Sequence, residues 1–206
     1  MEALHAASAA GDALGLHAIL LDASGDVHVN GRHGARDETA LHAACRASDV
    51  GAEECCKLLL ASGADPAIRC IHGGSCLHQA AQFHNDCAVT AMLQIRDPSS
   101  LPALANMQDK NGWTALHAAV YKQRTYWLDG SDPQRRVAIV TTLLRARADA
   151  GLRNNAGQTV LELAVASNCH DGLSDLLRPA SSVVEDPHIE AGRRDNPQPE
   201  AEAPEM

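Results

Sequence analysis

Cys70, His72, Cys76 and His78 fall within nine residues, a density at which thiolates and imidazoles could gather around a zinc ion. A structural zinc site needs four convergent ligands, and Cys76 and His78 already have places in a helix start, so no metal site is assigned. Cys169 and His170 are the one adjacent thiol–imidazole pair, the residue types of a cysteine nucleophile and its base. Neighbours on a helical turn point in different directions, which argues against a dyad and hence against a Cys–His hydrolase. No G-x-x-x-x-G-K-[ST], H-E-x-x-H or G-x-S-x-G occurs. Gly73-Gly74-Ser75 is too short to cradle a phosphate and reads as a loop entering a helix. The chain is therefore expected to be non-catalytic and to need no cofactor.

The residues best suited to recognition are aromatic. The chain has five, Phe83, Trp113, Tyr121, Tyr126 and Trp127, and four of them lie within 113–127. Trp, Tyr and Arg dominate binding hot spots. Tyr121, Arg124, Tyr126 and Trp127 are thus candidate contacts for a protein partner, the alternative being that Tyr126 and Trp127 fold back over an extended helix.

The elements that must position these residues are announced by a recurring phrase: ETALHAA at 38–44, SCLHQAA at 75–81, WTALHAA at 113–119, QTVLELA at 158–164 and a clipped EALHAAS at 2–8. Its leucines, Leu4, Leu41, Leu77, Leu116 and Leu161, are separated by 37, 36, 39 and 45 residues. Thr39, Ser75, Thr114 and Thr159 place a hydroxyl just before the apolar run, where it can cap the first turn of a helix. Small apolar residues three and four positions beyond each leucine, such as Ala44 and Cys45 or Ala119 and Val120, form one helical face that permits close approach. A second apolar cluster follows at 19–21, 58–60, 92–93, 143–144 and 176–177, predicting a second helix packed on the first. Turn residues such as Ser62-Gly63-Ala64-Asp65, and then Gly73, Gly112 or Gly157, complete each unit.

With these motifs the chain resembles the ankyrin-repeat family, whose T-P-L-H-x-A-A, L-L-L-x-x-G-A-D and D-x-x-G patterns are matched over residues 2–178. Ala40, Cys76, Ala115 and Val160 stand in place of the family's proline. His5, His42, His78 and His117 match its histidine, which the resemblance implies ties the first helix to the capping hydroxyl and the adjoining loop. Glu162 replaces it in the last unit, as suits a terminal cap. The resemblance implies an all-α solenoid of helix-turn-helix units with hairpin loops, divided near 1–33, 34–71, 72–109, 110–153 and 154–179. It also implies binding from the hairpin tips and first helices, which adds Trp113, Lys110 and Asn111 to the contact candidates.

Relative to a repeat of about 33 residues, the extra lengths are about 4, 3, 6 and 12. The third insertion, between Leu93 and Asn106, is expected to lengthen a hairpin loop, and the fourth, 121–133, holds most of the aromatics. Residues 180–206 contain seven acids against Arg193 and Arg194, and four of the nine prolines. This segment is expected to be a disordered acidic tail. It accounts for −5 of the formal net charge of −9, and the mildly acidic remainder disfavours nucleic acid as a partner. An odd cysteine count, a start unlike a secretory signal and no apolar run of about 18 residues predict a soluble protein of the cytoplasm or nucleus, without a disulfide framework. The expected function is a monomeric protein–protein interaction module or scaffold. The alternative is a piece of a longer repeat protein, because Met1 falls almost on the first ALH phrase.

Overall fold

The computed structural model describes residues 2–21, 28–47, 49–95, 99–121, 133–167 and 172–177. Each copy of the phrase starts a short inner helix: α1 (Glu2–Ala10), α3 (Ala40–Arg46), α5 (Cys76–Gln82), α8 (Ala115–Val120) and α10 (Val160–Ala166). Each is followed by an outer helix: α2 (Ala13–Leu21), α4 (Asp49–Ala61), α6 (Asp86–Ile95), α9 (Pro133–Arg145) and α11 (Leu173–Leu177). Inner helices pack on inner helices in the order α1, α3, α5, α8, α10, and outer on outer in the order α2, α4, α6, α9, α11. The result is a two-layer, all-α repeat solenoid. Its core is a continuous cluster containing Leu4, Leu41, Leu77 and Leu116 from the inner layer and Leu59, Met92, Ile139 and Leu143 from the outer. Among the described residues no helix is long and apolar enough to cross a membrane.

The histidine of the phrase does two jobs at once. At Thr39, Ser75 and Thr114 the backbone N–H donates to Nδ1 of His42, His78 and His117 at 3.2, 3.2 and 3.3 Å. The capping hydroxyls donate to the same nitrogens at 2.8, 2.9 and 2.9 Å. Each Nδ1 is thereby an acceptor, which leaves the proton on Nε2. That Nε2–H donates onward, from His42 to Gly74 O at 3.4 Å, from His78 to Trp113 O at 2.9 Å and from His117 to Gln158 O at 3.1 Å. One imidazole thus completes a capping box and bolts its helix to the next unit. In the last copy Glu162 keeps the capping half, accepting from Thr159 N at 2.7 Å, and as a carboxylate has no donor with which to reach onward.

The loops between units are fingers that stack on one another. The first is a two-stranded hairpin, β1 (Arg32–His33) with β2 (Glu38–Thr39). Later fingers are closed by Cys70 N to Gly74 O, Asp109 N to Trp113 O and Asn154 N to Gln158 O, each with a tip bond from Gly73, Gly112 or Gly157 N back to the same first residue's carbonyl. Neighbouring fingers join through Ile71 N to Arg36 O, Lys110 N to His72 O and Asn155 N to Asn111 O. Gly112 shows why glycine is needed at such a tip: its φ is +74°, and a Cβ there would lie 2.5 Å from Asn155 Oδ1 and 2.8 Å from Asn155 N. Asn30 and Asn106 secure the outer layer in the same way. Asn106 donates to Arg147 O at 3.2 Å and accepts from Asp149 N at 2.7 Å.

Two expectations are corrected. The third insertion is not simply a longer loop: Leu101–Ala105 forms a helix, α7, which buries Leu104 and Ala105 in the core. Pro102 sits in its first turn, where a missing N–H costs nothing. Val165, placed by the phrase on the buried inner face, is 66% exposed, because no described element packs beyond α10 on that side.

Two outcomes follow from this frame. Leu116 is fully buried between α5, α10 and its own outer helix, so Leu116→Ala should lower stability by about 2–5 kcal/mol; an unchanged urea midpoint would refute the register. Burial also lowers the pKa of His42, His78 and His117, against the opposing effect of their carbonyl partners. The unfolded chain therefore takes up protons that the folded chain refuses. Their contribution is complete above the ordinary imidazole pKa of about 6.5 and is lost as pH falls from there toward the lowered folded values. Urea unfolding at pH 7, 6 and 5 should show stability falling by up to about 1.4 kcal/mol per pH unit for each histidine titrated; equal midpoints would show that the neutral ladder does not hold the units.

Candidate partner-binding groove

The third finger is built to hold its tip still. Asp109 Oδ1 accepts from Asn111 N and Trp113 N, each at 2.8 Å. Gln108 Nε2 donates to Gly112 O at 2.8 Å and to Arg153 O of the next finger at 2.9 Å. Lys110 and Asn111 are exposed at this tip. Their backbones join the neighbouring fingers, leaving the side chains outside the stack's own bonding. Trp113 is held through its carbonyl by His78, and its half-buried ring meets Tyr121 edge-on, with ring centroids 4.6 Å apart and an interplanar angle of 69°. Tyr121 ends α8, its N–H donating to His117 O, and it is 37% exposed.

These residues border a groove between fingers and inner helices. One cavity of about 300 Å³ lies between the third and fourth units and is lined by Gln79, Gln82, Asp109, Trp113, Ala118 and Tyr121, among others. A second, of about 650 Å³, lies nearer the first finger and is lined by His5, Arg36, Glu38, Ala43 and Arg46, among others. Two positions of the phrase recur in these linings. The residue before the cap supplies Glu38 and Trp113, and the residue after the histidine supplies Ala6, Ala43, Gln79 and Ala118.

Glu38 and Gln79 form the seam between the two cavities. The carboxylate of Glu38 is buried and is met by Arg46 Nη1 at 3.0 Å and by Gln79 Nε2 at 2.6 Å. Charge-assisted bonds of this kind offset its loss of hydration. Gln79 is 9% exposed, and its Oε1 has no hydrogen-bond donor among the described residues. Sequence reasoning did not single out either residue. The signal was present in SCLHQAA, the one copy of the phrase in which a long polar side chain replaces the alanine after the histidine.

The structure brings Lys110, Asn111, Trp113 and Tyr121 together on one finger and the adjoining end of α8. Arg124, Tyr126 and Trp127 lie outside the described residues, as do Cys169, His170 and the whole of 180–206. At the Cys70–His78 cluster, His78 commits both ring nitrogens to Ser75 and Trp113, while Cys76 is buried in the core with Thr39 Oγ1 3.9 Å from its sulfur. Among the described residues no group of three or more His, Cys, Asp or Glu is placed to hold a metal ion. Cys55 and Cys56 are equally committed to packing. Burial pushes the Cys55 thiol up to about 11, and hydrogen bonding with Cys45, then burial, raise that of Cys56 well beyond. Neither is a thiolate at neutral pH, and the thiolate is the reactive form. A brief N-ethylmaleimide pulse should leave both unlabelled in the native chain and label both in urea, read by peptide mass spectrometry; labelling in the native chain would contradict their burial.

Comparison with known proteins agrees with this architecture. No curated protein matches the chain. The family model for ankyrin repeats (three copies) matches residues 48–129 and again residues 77–186, together about two thirds of the chain. The stacked helix pairs, the capping histidines and this match lead to one conclusion: the chain belongs to the ankyrin-repeat family.

Proposed function

We propose that this chain docks a protein partner in the groove, with Trp113 and Tyr121 as anchors and Lys110 and Asn111 as polar contacts at the fingertip. Arg124, Tyr126 and Trp127 of the 121–133 insertion are further contacts in this reading. Ankyrin repeats are in general protein–protein interaction modules and generally non-catalytic. The observation that carries the finer reading is the Trp113–Tyr121 pair. In a chain with 2% aromatic residues, two rings meet at the mouth of a cavity in the groove. Such rings bring large rigid contact area at small entropic cost. Three hydrogen bonds, from His78 and Asp109 N to its carbonyl and from its N–H to Asp109 Oδ1, hold the Trp113 backbone, so little ordering is left for association.

The mechanism is recognition on a preformed frame. Nearest-neighbour stacking makes the groove a continuous surface, and the few large side chains along it select the partner. We place the protein in the cytoplasm or nucleus, since Cys45, Cys55, Cys56, Cys70 and Cys76 are unbridged thiols, as a reducing compartment would keep them.

Affinity capture followed by mass spectrometry tests the reading. The parent chain should retain a protein that the Trp113→Ala/Tyr121→Ala variant loses, with affinity weakened about 30-fold, equivalent to about 2 kcal/mol, and with the helical circular dichroism signal unchanged. A Tyr126→Ala/Trp127→Ala variant should lose the same protein. Equal capture by parent and variants would remove this face from consideration.

A further inference from the structure

We propose that the cavity beneath Trp113 and Tyr121 is an anchor site for an arginine side chain of the partner, an inference that rests on the docking reading above. The cavity's chemistry selects for a planar cation. Among the described residues lining it, the one buried polar side-chain atom without a hydrogen-bond partner is Gln79 Oε1, an acceptor. Gln79 cannot turn that acceptor away, because its Nε2 is committed to the buried Glu38 carboxylate at 2.6 Å. A donor arriving at Oε1 therefore completes a line of hydrogen bonds that ends on a negative charge, and such chains reinforce one another.

The walls agree with the floor. Asp109 brings a carboxylate to the lining, and among the described residues no lysine or arginine lines the cavity. The guanidinium of Arg46 is occupied by Glu38 at 3.0 Å and lines the other cavity, and that of Arg69 donates to the carbonyls of Gly73 and Gln108. Trp113 and Tyr121 supply aromatic rings at the mouth. A guanidinium is flat, weakly hydrated and rich in donors, and it packs on aromatic rings while bonding to an acceptor at its edge. An ammonium is a compact, strongly hydrated charge that matches only part of this arrangement. A cavity of about 300 Å³ has room for such a side chain, and a net charge of −9 on the chain favours approach of a basic segment.

The test is an NMR titration of the full chain with acetyl-arginine methylamide, acetyl-citrulline methylamide and acetyl-lysine methylamide. Citrulline keeps the shape of arginine and removes the charge. The arginine probe should shift the side-chain amide of Gln79 and the indole N–H of Trp113, and should bind roughly tenfold more tightly than either other probe. Tyr121→Ala, at an exposed position, should weaken the arginine probe severalfold while leaving the rest of the spectrum in place; Gln79→Met should weaken it as well. Equal affinity for the arginine and citrulline probes, or no shift at Gln79 and Trp113, overturns the assignment. If partner capture still depends on Trp113 and Tyr121 in that event, the docking reading stands and only the arginine assignment falls. If probe discrimination holds while capture is equal, the cavity is an arginine site and the docking surface lies elsewhere.

Discussion

Everything in this solenoid depends on imidazoles buried in the neutral form. Each of His42, His78 and His117 accepts from its own cap with one nitrogen and donates to the next unit with the other. Local structure and long-range packing are thereby the same interaction: a helix that loses its first turn also releases the finger ahead of it. The groove inherits this coupling, because the carbonyl that His78 holds belongs to Trp113. The candidate anchor ring is kept in register by a histidine 35 residues away in sequence.

The frame was legible from the repeated phrase because each position in it has one physical task. Leu41, Leu77 and Leu116 are fully buried, as their spacing requires, and the small residues beyond them let adjacent inner helices touch. The hydroxyl-bearing residues all stand at helix starts. What the phrase did not convey are features set by a neighbour. Val165 has the sequence of an inner-face residue, but burial there requires a following unit. Leu101–Ala105 folds as a helix because Leu104 and Ala105 find the core, which a reading of the third insertion as a longer hairpin loop does not foresee.

The candidate site was legible in part, and the difference is chemical. Aromatic residues are rare in this chain, so Trp113 and Tyr121 stood out before their contact was known. Gln79 did not, since a single glutamine in a polar-apolar pattern looks ordinary. Its significance appears only with Glu38, 41 residues away, whose carboxylate it meets across two units. A groove lined at one register by Ala6, Ala43 and Ala118 owes its contour to the few positions where that alanine is replaced.

Gly112 and Gly157 occupy the same place in successive fingers, with nearly the same left-handed backbone, φ +74° and +76°. They are not equally replaceable. A Cβ at Gly157 would meet nothing within 4 Å, whereas at Gly112 it would run into Asn155 of the finger above. Asparagine, which tolerates left-handed backbone, is therefore admissible at Gly157 and excluded at Gly112. The alphabet open to a fingertip is written by the storey built on top of it, and adding a storey narrows what the one below can evolve into.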